Sequence, residues 1–293
     1  MAGSGAMNTL GINHATVVVD DLGTARRRYM DVFGAVFFRE GAPSRLAEEH
    51  YDYNLFYVGN LMIESIAPHK KPDDTVLQRF VARYGYGYHF FHFGVESLDA
   101  AREELLSRGY ELVTQNRFAI TTHPRSTHGL MLGAAEGFMN PPWDATWVNG
   151  NAAGLRGLRS VNFVVPYAEA AAQHLTEVWG GTLVGQQRTD GANPTSTYYI
   201  SFGPKDLGSV RGPHVVGLVQ PLTEEGSVAD FLRKRQPRAY SITWSVEDIA
   251  GTKSFLNDRA IDFAETSLHG EGITISPDQM FGAVHEFSDR GVI

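Results

Sequence analysis

Three residues in the N-terminal half pair reactive side chains with strand-like surroundings. They are His14 in Ile12-Asn-His-Ala-Thr-Val-Val-Val19, Glu64 in Met62-Ile-Glu-Ser-Ile66, and His92 in Phe90-Phe-His-Phe93. Imidazole and carboxylate groups can exchange protons or ligate a divalent cation. Glu64 is flanked by Met62, Ile63 and Ile66, where a carboxylate without a partner would be costly. It therefore either faces a metal or pairs with a basic group. His14, on a β-branched strand, suits a ligand and equally a hydrogen-bonded core histidine. His92 suits a ligand and equally a packed ring in an aromatic wall. Strand alternation turns His89 to the opposite face, as a structural residue. His128 precedes Gly129 in a turn, where it reads as solvent-exposed or as an additional ligand, and His123 before Pro124 reads as a loop residue. Seven of the eleven histidines (14, 50, 69, 89, 92, 123 and 128) fall in this half, which favours it as the seat of the chemistry. The absence of cysteine excludes disulfides, thiolate metal sites and a cysteine nucleophile. A general base must then be a carboxylate, a histidine, a tyrosine or a bound hydroxide.

The elements that position these residues recur. Residues 12–22 alternate as a strand, and Leu22, Ala25, Tyr29, Met30 and Phe33 follow at helical spacing up to a stop at Gly34. Strand-then-helix returns at Phe91–Gly109, at Arg159–Gly181 and at Ser241–Arg259. Each copy is followed by turn-rich, strand-like sequence, so the order is strand, helix and about three strands, four times over. A doubly wound sheet would place a helix between every pair of strands. No Gly-rich phosphate loop follows any strand, and Gly34 and Gly180-Gly181 end helices instead of opening them.

The chain has 293 residues, 43% hydrophobic and 20% charged, which suits two globular domains. A net charge of -8 argues against nucleic acid as partner. No apolar run approaches the roughly 20 residues that span a bilayer, so no membrane partner is expected. Residues 1–9 read as a tag or linker and a disordered N-terminus without signal-peptide character, and the expected location is the cytoplasm.

With these motifs the sequence resembles the vicinal oxygen chelate superfamily, which includes glyoxalase I, methylmalonyl-CoA epimerase, extradiol ring-cleaving dioxygenases and bleomycin-resistance proteins. The matching stretches are Ile-x-His-x-x-x-x-Val-x-Asp-Leu at 12–22, Met62-Ile-Glu-Ser-Ile-Ala-Pro68, residues 87–101, and His123-Pro-Arg-Ser-Thr-His-Gly129. The resemblance implies an α+β fold of four βαβββ modules, paired into two domains, each a curved mixed sheet enclosing a cup. The expected divisions are an N-terminal domain over 10–136, a linker over 137–154 and a C-terminal domain over 155–293.

The resemblance also implies a divalent metal (Fe2+, Mn2+, Zn2+, Ni2+ or Mg2+) held by one residue from the first and last strand of each module. His14 and Glu64 occupy two such slots. Phe90 and Gly133 stand in the other two, with His92 the nearest substitute and His128 an additional one. In the C-terminal domain the slots hold Ser160, Gly217, Ser241 and Glu286, so its site is expected to be degenerate, with Glu286 a hydrogen-bonded remnant. The implied function is a metal-dependent enzyme acting on a small aromatic or carbonyl-containing molecule, as a lyase, isomerase or oxygenase. Glu64 and His92 are its catalytic candidates and His14, Glu64 and His92 its metal ligands. The alternatives are metal-free acid–base chemistry on the same residues, metal-free sequestration of the bleomycin-resistance kind, and an extradiol dioxygenase. The serines at 160 and 241 disfavour the last, because a hydroxyl is a poor substitute for imidazole toward iron. The partner is a small molecule, with homo-oligomer formation left open.

Overall fold

The computed structural model describes residues 6–41, 51–70, 74–138, 153–191, 193–204, 213–265, 268 and 272–291. Module one is β1 (Thr9–Val18), α1 (Leu22–Phe33), β2 (Val36–Gly41), β3 (Tyr51–Val58) and β4 (Leu61–Pro68). After helix α2 (Val76–Tyr84), module two is β5 (Gly87–Val95), α3 (Leu98–Ser107), β6 (Leu112–Gln115), β7 (Ala119–Thr122) and β8 (Leu132–Glu136). Module three is β9 (Leu155–Val164), α4 (Ala168–Glu177), β10 (Thr182–Thr189), β11 (Thr195–Phe202) and β12 (His214–Pro221). Helix α5 (Ser227–Arg235) then leads to β13 (Arg238–Val246), α6 (Ile249–Asn257), β14 (Phe263–Ala264), β15 (Ile273–Ile275) and β16 (Val284–Ser288). The fold is the α+β arrangement of four βαβββ modules that the repeats indicated.

Local chemistry sets the helix ends. Asp21 accepts the Thr24 N–H to start α1, and Gly34 ends it in the left-handed conformation that a side chain would disfavour. The inter-module helices α2 and α5 were not among the elements expected from sequence. Each has only nine residues, and α2 is fixed by a reciprocal cap between Thr75 and Gln78.

Two eight-stranded sheets result, ordered β2-β3-β4-β1-β5-β8-β7-β6 and β10-β11-β12-β9-β13-β16-β15-β14. In both, the first and last strands of each module pair in parallel at the centre, and the two modules join through antiparallel first strands. Each sheet buries one face in a core shared by both halves. Phe91 meets Phe163 at 5.1 Å, Phe93 meets Phe202 at 4.6 Å and Trp179 at 5.2 Å, and Phe33 meets Trp244 at 5.7 Å between ring centroids. Burial of such rings is the main stabilising contribution here. On the opposite face, α2 covers one end of the N-terminal cup through Leu77, beside Val18 and Ile66, and α5 covers the C-terminal cup through Val228, beside Val164 and Val219.

Polar contacts also cross between the halves. The Ile12 N–H donates to His214 Nδ1 at 2.7 Å, His214 Nε2 donates to the Asn60 carbonyl at 3.1 Å, and the Leu158 N–H donates to Asn60 Oδ1 at 2.8 Å. His214→Ala would leave the buried Ile12 N–H and the half-buried Asn60 carbonyl without this partner, at roughly 1–3 kcal/mol each, and would add a cavity in place of the ring. The expected outcome in urea unfolding is a loss of about 3–5 kcal/mol. An unchanged midpoint would show that the contact is dispensable.

Met7 is buried and its N–H donates to the Val178 carbonyl at 2.9 Å, while β1 begins at Thr9. Residues 6–9 therefore belong with the fold, although composition had grouped 1–9 as tag and disordered terminus; pairing to a distant strand or helix end leaves no local sequence signal. Of the expected linker, residues 139–152 lie outside the described part, as do His50 and residues 1–5.

Candidate active site in the N-terminal cup

Sheet register brings the three expected residues together. His14 lies opposite His92 in the β1–β5 pair, and Thr16 lies beside Glu64 in the β1–β4 pair. The His14 and His92 rings are 4.7 Å apart, with the Phe90 ring 6.2 Å from His14 and 4.8 Å from His92. His14 Nε2 stands 3.7 Å from Glu64 Oε2, and these two side chains retain 12% and 15% exposure, so they form the open part of the cluster. His92 is buried. Leu55, Tyr57 and Met62, with Val36, Phe38 and Tyr53, form an apolar wall beside Glu64 and His14. The aromatic runs in the sequence are thus divided by alternation: Tyr53, Tyr57 and Phe90 face the cup, whereas Phe56 and Phe91 enter the shared core.

The hydrogen bonds run in one direction. Asn13 Nδ2 donates to the Gly137 carbonyl at 2.6 Å, so its Oδ1 must accept, and His14 Nδ1 donates to it at 2.7 Å. His14 Nε2 is then the acceptor for His92 Nδ1 at 2.9 Å, and His92 Nε2 accepts from Thr121 Oγ1 at 3.1 Å. Both rings are neutral. Burial lowers His14 to about 4, and burial, followed by the neighbouring His14 and His89, holds His92 well below the usual range. Thr16 Oγ1 donates to Glu64 Oε2 at 2.8 Å. Asn13, Thr16 and Thr121 escaped the sequence reading. Thr16 was accessible from alternation, two residues beyond His14. Asn13 was not, because it reaches its neighbour only where the β1–β5 register shifts between Ile12 and His14.

The expected divalent ion does not match this arrangement. Among the described residues, no group of three or more His, Asp, Glu or Cys is placed to hold a metal ion. The ring lone pairs a metal would need are taken by the His92 Nδ1 and Thr121 Oγ1 donors, and His14 Nδ1 carries a proton. The remaining slots do not help. Glu64 pairs with Thr16, two residues after His14, and Gly133 pairs with His92, two after Phe90. Phe90 is therefore the counterpart of His14, and Gly133 that of Glu64. A Cβ on Gly133 would lie 2.2 Å from His92 Cδ2, so the His92 ring fills the space of a fourth ligand.

His128 is not part of the cluster. It follows the short 3-10 turn Pro124–Ser126 at φ 55°, and its ring meets His174 of α4 at 5.1 Å. Spacing along the chain had suggested an additional ligand, but the turn directs this residue to the seam between the halves. His89, expected on the opposite face, instead lies on the cup side beside Phe90 and packs against Phe80 of α2 at 4.3 Å, because the β1–β5 register shifts between Ala15 and Val17.

The C-terminal cup repeats the geometry with different chemistry. Thr243 pairs with Glu286 and Asn162 with Gly217, the counterparts of Gly133's and Glu64's pairs. Thr243 Oγ1 and Ser241 Oγ donate to Glu286 Oε2 at 2.8 and 3.0 Å, and the Leu268 N–H donates to Oε1 at 2.7 Å. Asn162 Nδ2 supports both hydroxyls at 3.0 Å. Burial raises the Glu286 carboxyl, against the opposing pull of these donors. Ser160 and Ser241 occupy the slots of His14 and Phe90. His285 is on the other face, accepting Trp244 Nε1 at 3.1 Å beside Tyr29, so it forms no dyad with Glu286.

Residues 13–126 match the family model described as the Glyoxalase/Bleomycin resistance protein/Dioxygenase superfamily. Comparison with curated proteins finds no match. Among solved structures, a variant of 4-hydroxymandelate synthase from Streptomyces coelicolor is similar over 95% of this chain and 92% of its own, at 16% identity and a TM-score of 0.70. Methylmalonyl-CoA epimerase from Mycobacterium tuberculosis aligns over 45% of this chain and 91% of its own, at 23% identity and a TM-score of 0.41. Residues 13–126 thus carry the pattern of that superfamily, and the fold of nearly the whole chain is the one seen in the 4-hydroxymandelate synthase variant.

Proposed function

We propose that the N-terminal cup binds a small carbonyl-bearing molecule and transfers a proton next to its carbonyl, as a lyase or isomerase, with Glu64 as the general base. The observation that carries this reading is the placement of Glu64: a carboxylate at the open part of the cup, fixed by Thr16 and bordered by an apolar wall. Such a wall suits the body of a small organic molecule, and the polar groups fix its orientation. Glu64 takes the carbon-bound proton and returns it to the product. His14, neutral and held by Asn13 and His92, shapes the polar edge of the site without competing for that proton. No step in this reading passes through a metal.

A second reading, sequestration without turnover, draws on the same hydrogen-bond chain. It ends at Asn13 Oδ1, which cannot take up a proton, so the chain offers no exit to solvent.

One experiment separates the readings. Deuterium wash-in from D2O is followed by NMR over a panel of β-keto and 2-substituted malonyl compounds, with and without EDTA. The expected result is exchange that survives EDTA and falls by about 100-fold or more in Glu64→Gln. Glu286→Gln, in the other cup, should stay within a few-fold of the unaltered protein. Exchange that requires a metal, or that Glu286→Gln abolishes and Glu64→Gln spares, would overturn the assignment. Saturable binding of panel compounds without exchange would favour sequestration.

A further inference from the structure

The ends of α2 and α5 meet across the seam between the halves. The Arg235 guanidinium lies 3.7 Å from where a Cβ on Gly85 would be, and Arg238, at the start of β13, stacks 3.6 Å above the Tyr84 ring. Arg83 lies 5.0 Å from the same ring. Arg238 feels the charges of both Arg235 and Arg83. Neighbouring cations on these helices have carboxylate partners: Arg79 with Asp74, and Arg233 and Lys234 with Asp230. Arg83, Arg235 and Arg238 have none among the described residues. Helix C-termini carry about half a negative charge each, so the two ends together offset roughly one of the three positive charges.

The remaining charge has an unsatisfied donor within it. Arg238 Nε is buried without a hydrogen-bond partner, and an unpaired buried donor ordinarily costs about 1–3 kcal/mol. The Tyr84 and Phe80 rings cover the guanidinium, Tyr84 also hydrogen-bonds it, and the buried Nε faces inward, so the terminal nitrogens are the edge that would meet a tetrahedral oxyanion in a two-pronged contact. In a chain of net charge -8 such a grouping is not a consequence of overall composition. We infer that Arg83, Arg235 and Arg238 form a binding site for a phosphoryl group, whose two negative charges match the excess.

This inference does not depend on the acid–base reading of the cup, and its test reads binding alone. Inorganic phosphate and phenyl phosphate are titrated calorimetrically into the full chain at constant ionic strength, with chloride as the balancing anion. Saturable one-to-one binding with a Kd below about 1 mM is expected. The Arg83→Gln/Arg235→Gln double variant should weaken it about tenfold or more at an unchanged melting temperature. Arg238→Lys, which keeps the charge and loses the planar edge, should also weaken it. Tighter binding of phenyl phosphate than of inorganic phosphate assigns the site to a phosphate ester, and equal binding assigns it to free phosphate. No saturable binding, or binding that all three substitutions leave unchanged, would overturn the inference.

Discussion

Between pH 7 and pH 5 the protein is expected to lose most of its stability. His214 and His285 are fully buried and lowered to about 4 and about 3, chiefly by burial. A histidine with a depressed folded pKa binds fewer protons in the native state than in the unfolded chain. Its contribution is therefore intact above the unfolded value near 6.5 and lost as the pH falls toward the folded value. For each of these two, the loss by pH 5 is about 2 kcal/mol. His14, His89, His92 and His174 are shifted in the same direction. Glu286, raised by burial, acts in the opposite sense as one group against six. Against a typical total of about 5–15 kcal/mol, the sum brings the native state close to unfolding. Urea denaturation followed by circular dichroism at half-unit steps of pH checks this. A midpoint that is flat from pH 7 to pH 5 would mean that the buried rings take up protons in the native state as readily as in the unfolded chain.

Gly133→Ala is expected to be the most damaging small substitution in the N-terminal cup. The added methyl would lie 2.2 Å from His92 Cδ2, 2.5 Å from His92 Nε2 and 2.4 Å from the Ile120 carbonyl oxygen. The carbonyl belongs to β7, which pairs with β8 at Thr121 and Gly133, so it cannot retreat without disturbing the ladder. The imidazole can move only by releasing Thr121 and His14. Overpacking of about 1–3 kcal/mol adds to a similar loss from buried polar groups, for a total of about 3–5 kcal/mol. Thermal unfolding should fall by roughly 10 °C. Adding His92→Ala should recover part of the loss, because it removes the ring and leaves the carbonyl. An unaltered melting temperature would show that the space beside His92 is larger than the glycine geometry indicates. The same crowding explains why a carboxylate cannot be placed in this slot while His92 keeps its position.

Much of this was legible in the sequence. The repeated strand-to-helix units specify four modules, because β-branched alternation and glycine stops are local signals that survive without knowledge of the partner strands. His14, Glu64 and His92 were legible for the same reason: each is a polar residue on an otherwise apolar strand. The hydrogen-bonding role of these histidines was not, since it depends on Asn13, Thr121 and a register shift in β1. His128 was misplaced because its direction is set by a left-handed turn and by α4 of the other half. The arginines at the seam were unremarkable as sequence. Arg83 and Arg238 are 155 residues apart, and only the meeting of α2 and α5 makes them neighbours.

The bond from the Ile12 N–H to His214 spans 202 residues. During synthesis at about 5–20 residues per second, His214 leaves the ribosome roughly 10–40 s after Ile12. Within it, Phe91 and Phe93 emerge roughly 4–20 s before their partners Phe163, Trp179 and Phe202, and for that time β5 has no second half to cover them. A chain halted before residue 163 would therefore hold its N-terminal half with the apolar back of the sheet uncovered.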